Sequence, residues 1–399
     1  MTTREVMDLY SRCVTANYSR YPIVITRAQG SQMWDADGKR YLDLFPGWGC
    51  SLLGHCHPRV VRAIQQQAGR LIHVDNLFYT EEGGQLGELL CRHGFGGQSF
   101  FCNSGAEANE AAIKLARRHT PADRYQIITM ERGFHGRTYG AMSATAQSKI
   151  HVGHDPLVPG FVYVPFNDLD AVARAITGQT AAILVEPIQG EGGVNIPDEG
   201  YLPGLRELCD EHGILLILDE VQTGCGRTGK WFGYQHSSIE PDIMTLAKAL
   251  GGGAPIGAMV ARPDVAASLK PGSHATTYGA NALVVAAALA TFEAIEEENL
   301  LEAAQRQGEY ICDRARALQG QFGFIEQVRG RGVMIAIELS VPGKPIVDAA
   351  LQRGLRINCT QETIIRLLPA MTITTEEVDE AFMILTEAFK EVESRLVAS

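Results

Sequence analysis

Along the middle of the chain, short runs of β-branched and large apolar residues alternate with longer stretches in which apolar positions recur every three or four residues. The runs Ser99 to Cys102, Tyr125 to Met130, Phe161 to Val164, Ala181 to Val185, Ile214 to Leu218, Ile243 to Leu246 and Ile256 to Val260 predict strands. Between several of them lie amphipathic stretches such as Ala106 to His119 and Leu202 to His212, which predict helices. The alternation predicts an α/β fold built on a mostly parallel sheet covered by helices. Such sheets bind ligands beyond the carboxyl ends of their strands, so the loops that follow strands are where chemistry is sought.

The last hundred residues have a different pattern. A long helical run after Phe292 precedes β-rich runs at Phe324 to Val328 and Gly332 to Leu339, and a helix is expected from Thr375 onward. This is an α+β unit, and the N-terminal segment containing Gln32-Met33-Trp34-Asp35 is expected to pair with it. The expected organisation is an N-terminal segment over 1–50 that joins the smaller unit, a large domain over 51–290 and a C-terminal small domain over 291–399. No internal repeat or low-complexity linker interrupts it.

Composition narrows the function classes. A chain of 399 residues with 45% apolar and 20% charged residues is a folded protein of two or three structural units. A formal net charge of −11, without a dense run of Lys and Arg, excludes nucleic acid as the expected partner. The longest apolar stretch, Ala282 to Ala290, is too short to span a bilayer. The first residues lack a positive region followed by an apolar core, which places the chain in the cytoplasm. Nine cysteines without a C-x-x-C pair argue for reduced thiols. His55-Cys56-His57 is followed by Pro58 and lacks a second ligand cluster, so no metal is expected.

Three segments carry candidate chemistry. Asn103-Ser104-Gly105-Ala106-Glu107-Ala108-Asn109 follows a strand and opens a helix, with Ser104 and Glu107 spaced as a capping box. An ordinary capped helix is the simpler reading; the functional one is that free N–H groups at Gly105 and Ala106 hold a phosphate at the positive end of the helix dipole. Asp219 ends a hydrophobic strand run, where a carboxylate needs a cationic partner unless it merely begins a turn. Lys248 sits among small apolar residues before Gly251-Gly252-Gly253. Most lysines are solvated surface charges, but desolvation here would free the amine as a nucleophile for an aldehyde.

A rival motif is Gly224 to Lys230, which matches G-x-G-x-x-G after a strand and most of G-x-x-x-x-G-K, the marks of a nucleotide-binding protein. Trp231 stands where a phosphate loop needs Ser or Thr, and the residues after it do not open a helix. A tightly turned loop is the expected reading.

With these segments, Asp35-Ala36-Asp37-Gly38-Lys39-Arg40-Tyr41-Leu42-Asp43, Gly54-His55-Cys56-His57-Pro58 and Ile365-Arg366-Leu367-Leu368-Pro369 stand in an order that resembles the class III, or acetylornithine/ornithine type, aminotransferases over nearly the whole chain. The resemblance implies the aspartate-aminotransferase-like fold, fold type I: a large α/β domain plus a smaller α+β domain drawn from both termini. It implies pyridoxal 5'-phosphate as cofactor and a homodimer with shared active sites. Lys248 would carry the cofactor covalently, Asp219 would pair with its pyridine nitrogen, and Gln222 would contact the ring hydroxyl, with Glu220 and Val221 among the contacts. Phe134 would stack on the ring, Gly105 and Ala106 would cradle the phosphate, and Thr277 would complete the cradle in the neighbouring subunit. Arg137 would grip the substrate α-carboxylate and Thr276 would touch the substrate. Glu191 would pair with Arg366, masking its charge while the amino donor is bound. The implied reaction moves the terminal amino group of N-acetylornithine to 2-oxoglutarate, giving N-acetylglutamate 5-semialdehyde and glutamate in arginine biosynthesis. Ornithine, succinylornithine and 4-aminobutyrate transamination are the alternatives. The chain departs from the commonest family forms at Ala106, where Thr is frequent, and at Ala280-Asn281-Ala282, where Gly-Asn-Pro is frequent; Pro46-Gly47-Trp48-Gly49 is also unusual.

Overall fold

The computed structural model describes residues 1–397. Seven strands form one sheet in the spatial order Gln98–Cys102, Gly257–Ala261, Ile243–Leu246, Leu215–Asp219, Thr180–Val185, Gln126–Met130 and Phe161–Val164. They are the seven runs picked out by sequence, with ends displaced by at most one residue. Only Gly257–Ala261 runs against its neighbours; the others are aligned, so their carboxyl ends open along one edge.

The five inner strands are buried on both faces, which is why they are largely apolar and do not alternate, while the edge strands Gln98–Cys102 and Phe161–Val164 are partly exposed. On one face Ile127, Leu184 and Ile217 pack against Ala111, Ala112 and Leu115 of helix Gly105–His119. On the other, Ile128, Ile183, Leu216 and Leu218 share a core with Leu202 and Leu205 of helix Tyr201–His212 and with Val285 and Phe292. Burying each of these large side chains contributes about 2 kcal/mol.

The helical run expected after Phe292 begins earlier, at Ala282, and is two helices, Ala282–Glu297 and Leu300–Gln319, separated at Asn299 with φ 51°. The first is apolar on nearly every side and packs against helices Pro58–Ala68 and Glu81–His93. A helix buried all round shows no 3.6-residue stripe, so its start is invisible to periodicity. The same stretch is the longest apolar run of the chain, and among the described residues no helix is long and apolar enough to cross a membrane.

At the start of that helix Ala280 has φ 61°, and the Asn281 side chain caps the helix by accepting from Leu283 N. A non-glycine residue held in the left-handed region costs about 1–2 kcal/mol, partly offset by the greater freedom glycine loses on folding. Ala280→Gly is therefore expected to stabilise the protein by about 0.5–1 kcal/mol, read as a rise of the thermal midpoint; an unchanged or lower midpoint would show that the neighbouring segment relaxes the strain.

The remaining strands form two smaller sheets. Ile325–Arg331, Met334–Leu339, Ile364–Leu367 and Asn358–Thr360 are antiparallel neighbours. Ile25–Gln29, Gln32–Asp35 and Arg40–Asp43 form a meander whose last strand pairs in parallel with Leu355–Arg356, Leu42 opposite Leu355. The N-terminal segment thus joins the C-terminal residues as the sequence suggested, around a second core that holds Leu42, Leu44, Ile337, Phe382 and Phe389. The final helix is Thr375–Val397.

Candidate active site

The loops at the carboxyl edge of the large sheet enclose a cavity of about 460 Å³. Gly105, Ala106, Phe134, Asp219, Val221, Gln222, Lys248, Arg137 and Glu191 all line it. They come from five loops that each follow a strand or open a helix, and only the parallel alignment of the strands brings them together.

Asp219 is the last residue of strand Leu215–Asp219 and is buried. Its Oδ2 accepts from Asn109 Nδ2 and faces His135 Nδ1, both at 2.8 Å, while Oδ1 accepts from Val221 N at 3.0 Å. Asn109 cannot turn its amide over, because its Nδ2 also donates to His135 O and its Oδ1 accepts from Thr245 Oγ1. Three donors thus converge on one carboxylate. His135 Nε2 is buried without a hydrogen-bond partner. Neither Asn109 nor His135 was singled out from sequence, although each lies inside a motif that was.

Lys248 follows strand Ile243–Leu246 and stands at the start of a short 3₁₀ turn with φ 42°. A lysine held there costs on the order of 1–3 kcal/mol, a strain found where the surrounding structure imposes a side-chain direction. Its charge is felt by Glu191 and by Cys50, which also lines the cavity. Phe134 forms a side wall, with the Arg137 guanidinium 5.6 Å from its ring centroid at the exposed rim.

Ser104 caps helix Gly105–His119 by accepting from Glu107 N at 3.2 Å. The reciprocal half of the capping box does not form: the Glu107 carboxylate turns back to Asn103 N and Asn103 Nδ2. Glycine is required at the start of this helix, since a Cβ on Gly105 would lie 2.8 Å from Val221 Cγ1.

Arg366 is fully buried, and its Nη1 lies 2.8 Å from Glu191 Oε1. Burial pushes the Glu191 carboxyl up, but the Arg366 and Lys248 charges outweigh it and hold the group below the usual carboxylate range.

Glu220, Thr276, Thr277 and Arg366 do not line the cavity. Glu220 points the other way from Asp219, accepting from Gly233 N and Tyr234 N at 2.8 Å each and from the Thr223 hydroxyl. Thr276 Oγ1 accepts from Asn103 Nδ2 at 3.2 Å, and Thr277 is exposed. Glu186, missed from sequence, lines the cavity and accepts from Phe134 N at 3.1 Å and Gly190 N at 3.0 Å. It ends a hydrophobic strand run just as Asp219 does, and that signal was available. The Gly224 to Lys230 segment is a series of turns that opens no helix, with Arg227 buried and Lys230 Nζ donating to Gln235 O. His55 turns to Asp43, and His57 to Glu298.

Burial pushes the Glu220 carboxyl up to about 7 from an ordinary 4.5, and that of Glu186 likewise to about 7. Between those two values the folded chain keeps protons that the unfolded chain has released, so this contribution is fully present below about pH 4.5 and is lost as pH rises through about 7. Glu220→Gln, which cannot ionise, is expected to gain on the parent protein across this window, by on the order of 3 kcal/mol at most. Thermal midpoints of both proteins from pH 4.5 to 8 check it; a constant difference would show that Glu220 does not titrate there.

The cavity suits a flat aromatic ring bearing a phosphate and a basic nitrogen. The unbonded N–H groups at the start of helix Gly105–His119 suit an anion, Phe134 and Val221 offer apolar surface for the ring, and buried Asp219 offers a negative charge. Lys248 supplies an amine for an aldehyde. Pyridoxal 5'-phosphate has each of these parts.

The family model described as aminotransferase class-III matches residues 13–389. The acetylornithine aminotransferase of Caldanaerobacter subterraneus subsp. tengcongensis is 46% identical over 94% of this chain and 96% of that relative. That of Methanocaldococcus jannaschii is 45% identical over 98% and 100%. Among solved structures, the ornithine aminotransferase from Toxoplasma gondii ME49 superposes with a TM-score of 0.94 at 35% identity, covering 99% of this chain and 96% of that one. Sequence profile, fold and cavity agree: this chain belongs to the class III aminotransferases, which depend on pyridoxal phosphate.

Proposed function

We propose that the protein transfers the terminal amino group of N-acetylornithine to 2-oxoglutarate, as a step of arginine biosynthesis. The observation that carries this reading is the Glu191–Arg366 pair beside Lys248. A neutral acyl-amino chain is best met by a masked cation, and a distal carboxylate by an open one; a glutamate able to leave the arginine serves both in turn. The names of the relatives support the same donor.

Bound pyridoxal phosphate supplies an aldehyde that takes up the amino group and a ring that draws off electrons. The residues of this chain do the rest. Lys248 Nζ would hold the aldehyde and, as a general base, would take the proton from the carbon bearing the amino group. Asp219 holds a positive charge on the ring nitrogen, and Asn109, His135 and Val221 N hold Asp219 in place. Gly105 and Ala106 bind the phosphate, Phe134 covers a ring face, and Gln222 meets the ring hydroxyl. Arg137, which pairs with no carboxylate among the described residues, grips the substrate α-carboxylate.

The active unit in this reading is a homodimer in the cytoplasm. Leu77, Phe78 and Tyr79 are 88%, 65% and 106% exposed, an apolar patch that calls for a partner surface. Asn76 Nδ2 ties that patch to Thr276 O and Gly279 O, so Thr277 and exposed Tyr278 share its face. In this reading Thr277 completes a neighbouring subunit's phosphate site, and Thr276 touches the substrate. All nine cysteines are free thiols, which suits a reducing compartment.

A panel of acetylornithine, ornithine, succinylornithine and 4-aminobutyrate, with 2-oxoglutarate as acceptor, tests the reading. Acetylornithine is expected to give the highest kcat/KM; a higher value for any of the others reassigns the donor. Glu191→Gln, which leaves Arg366 unmasked, is expected to shift preference toward glutamate, and an unchanged ratio of the two half-reaction rates would remove Glu191 from that role.

A further inference from the structure

If Glu191 must leave Arg366 when a dicarboxylate arrives, two motions are open to it: the glycine-rich loop 189–195 swings away, or the side chain rotates on a fixed backbone. Gly190, Gly192 and Gly193 flank Glu191 and suggest the first. Their surroundings argue otherwise. A Cβ on Gly190 would lie 1.9 Å from Gln222 Oε1, one on Gly192 2.8 Å from Gln189 Oε1, and one on Gly193 2.4 Å from Ile364 Cδ1. These glycines are demanded by close packing.

The carbonyls of the loop are also taken, one after another. Glu191 O accepts from both Thr360 Oγ1 at 2.7 Å and Gln361 Nε2 at 2.9 Å, which uses its two lone pairs. Gly192 O accepts from Asn195 Nδ2 at 3.0 Å. Gly193 O and Val194 O accept from Arg329 at 2.7 and 2.9 Å. Gly190 N is held by Glu186, and Gln189 and Asn195 close the loop by pairing backbone to backbone. Val194 is buried with φ 53°, a conformation a β-branched residue keeps only where its surroundings impose it.

The arginine is fixed from the same ribbon. Its Nε and Nη2 both donate to Asn358 Oδ1, at 3.2 and 3.0 Å, and the Phe45 ring centroid lies 4.9 Å from Cζ. Asn358 and Thr360 are on the strand paired with the one that carries Arg366, Asn358 directly opposite it, and Gln361 begins the turn between them. One hairpin therefore positions both the backbone of Glu191 and the guanidinium it pairs with. What the hairpin leaves unclamped is the Glu191 side chain, whose carboxylate is held by Arg366 and Gln222.

We propose that Thr360 and Gln361 are positioning residues: by clamping the backbone of Glu191 they hold its side chain where it competes for Arg366, and so set how readily a distal carboxylate displaces it. This rests on the exchange at Arg366 put forward above. Rotation exchanges one carboxylate for another on Arg366 and breaks none of the bonds to the loop carbonyls.

Glutarate, a dicarboxylate with no amino or keto group to react, is the probe, titrated calorimetrically into the holoenzyme. Thr360→Val and Gln361→Met each remove one donor to the Glu191 carbonyl, so Glu191 is less well placed to compete and glutarate is expected to bind about fivefold tighter, the effect of one hydrogen bond. In a Glu191→Gln background the same substitutions are expected to change nothing further, because their effect acts through the carboxylate they position. Amide hydrogen exchange over 190–194 is expected to be as slow with glutarate as without it. If Glu191→Gln tightens glutarate binding but Thr360→Val and Gln361→Met do not, the clamp is overturned. It is overturned equally if their effect persists without Glu191, or if glutarate speeds exchange in the loop. If Glu191→Gln itself leaves glutarate affinity unchanged, the exchange at Arg366 is wrong and the clamp has nothing to set.

Discussion

Replacing Lys248 with Ala is expected to lower turnover by about four orders of magnitude or more, the upper end of what a positioned proton-transfer group supplies. The loss has two sources in the proposed mechanism, in which the same amine holds the cofactor at rest and moves the proton. Stability is expected to hold or rise slightly, since the left-handed backbone at Lys248, φ 42°, is strained for either side chain and the lysine is only half-buried. The parent protein should be yellow, and borohydride should fix the cofactor to this residue, read by mass mapping of the peptide that contains it. Recovery of the reduced cofactor on another lysine, or a variant that keeps more than a hundredth of the parent rate, would remove Lys248 from its place.

The second large effect is expected at Asp219. Asp219→Asn preserves size but puts an amide NH₂ where the carboxylate accepts from Val221 N on one oxygen and faces Asn109 Nδ2 and His135 Nδ1 with the other. His135 can change tautomer to accept, whereas Asn109 is committed through His135 O and Thr245 Oγ1 and Val221 N can only donate, so either orientation of the new amide leaves donor facing donor. The variant also removes the negative charge that, in the proposed mechanism, keeps the ring nitrogen protonated. A fall in turnover of about two to three orders of magnitude is expected, the range for loss of a preorganised electrostatic group. Two measurements separate the causes: cofactor affinity reports the lost ion pair, and single-turnover rates at saturating cofactor report the lost electron withdrawal. Near-parent rates with the cofactor retained would show that the ring works without a protonated nitrogen.

The large sheet was legible because its five inner strands are buried on both faces, so each is a compact apolar run that needs no partner to be recognised. Lys248 and Asp219 were legible for the same reason, as charged residues placed where an apolar strand ends. Glu186 obeys that rule too, yet drew no notice beside Gly190 to Gly193. Helix Ala282–Glu297 was misplaced at its start because its first residues, Ala282 to Ala290, are all apolar and leave no polar face to mark a helix.

What the sequence by itself determined is the set of strands, the loops that carry chemistry and the residue types able to hold a phosphate, a ring and an aldehyde. These are local matters of periodicity, capping and the cost of burying charge. Tertiary structure alone decided which of two adjacent acids faces the cavity. Asp219 and Glu220 leave the strand in opposite directions by its two-residue period, but only the packing of the 233–234 turn against Glu220 shows which one points inward. Tertiary structure alone also brought Asn109 and His135 onto the Asp219 carboxylate, and Thr360 and Gln361 onto the Glu191 carbonyl. Those contacts join residues far apart in the chain, and their partners are chosen by strand order and register, which no local pattern of residues records.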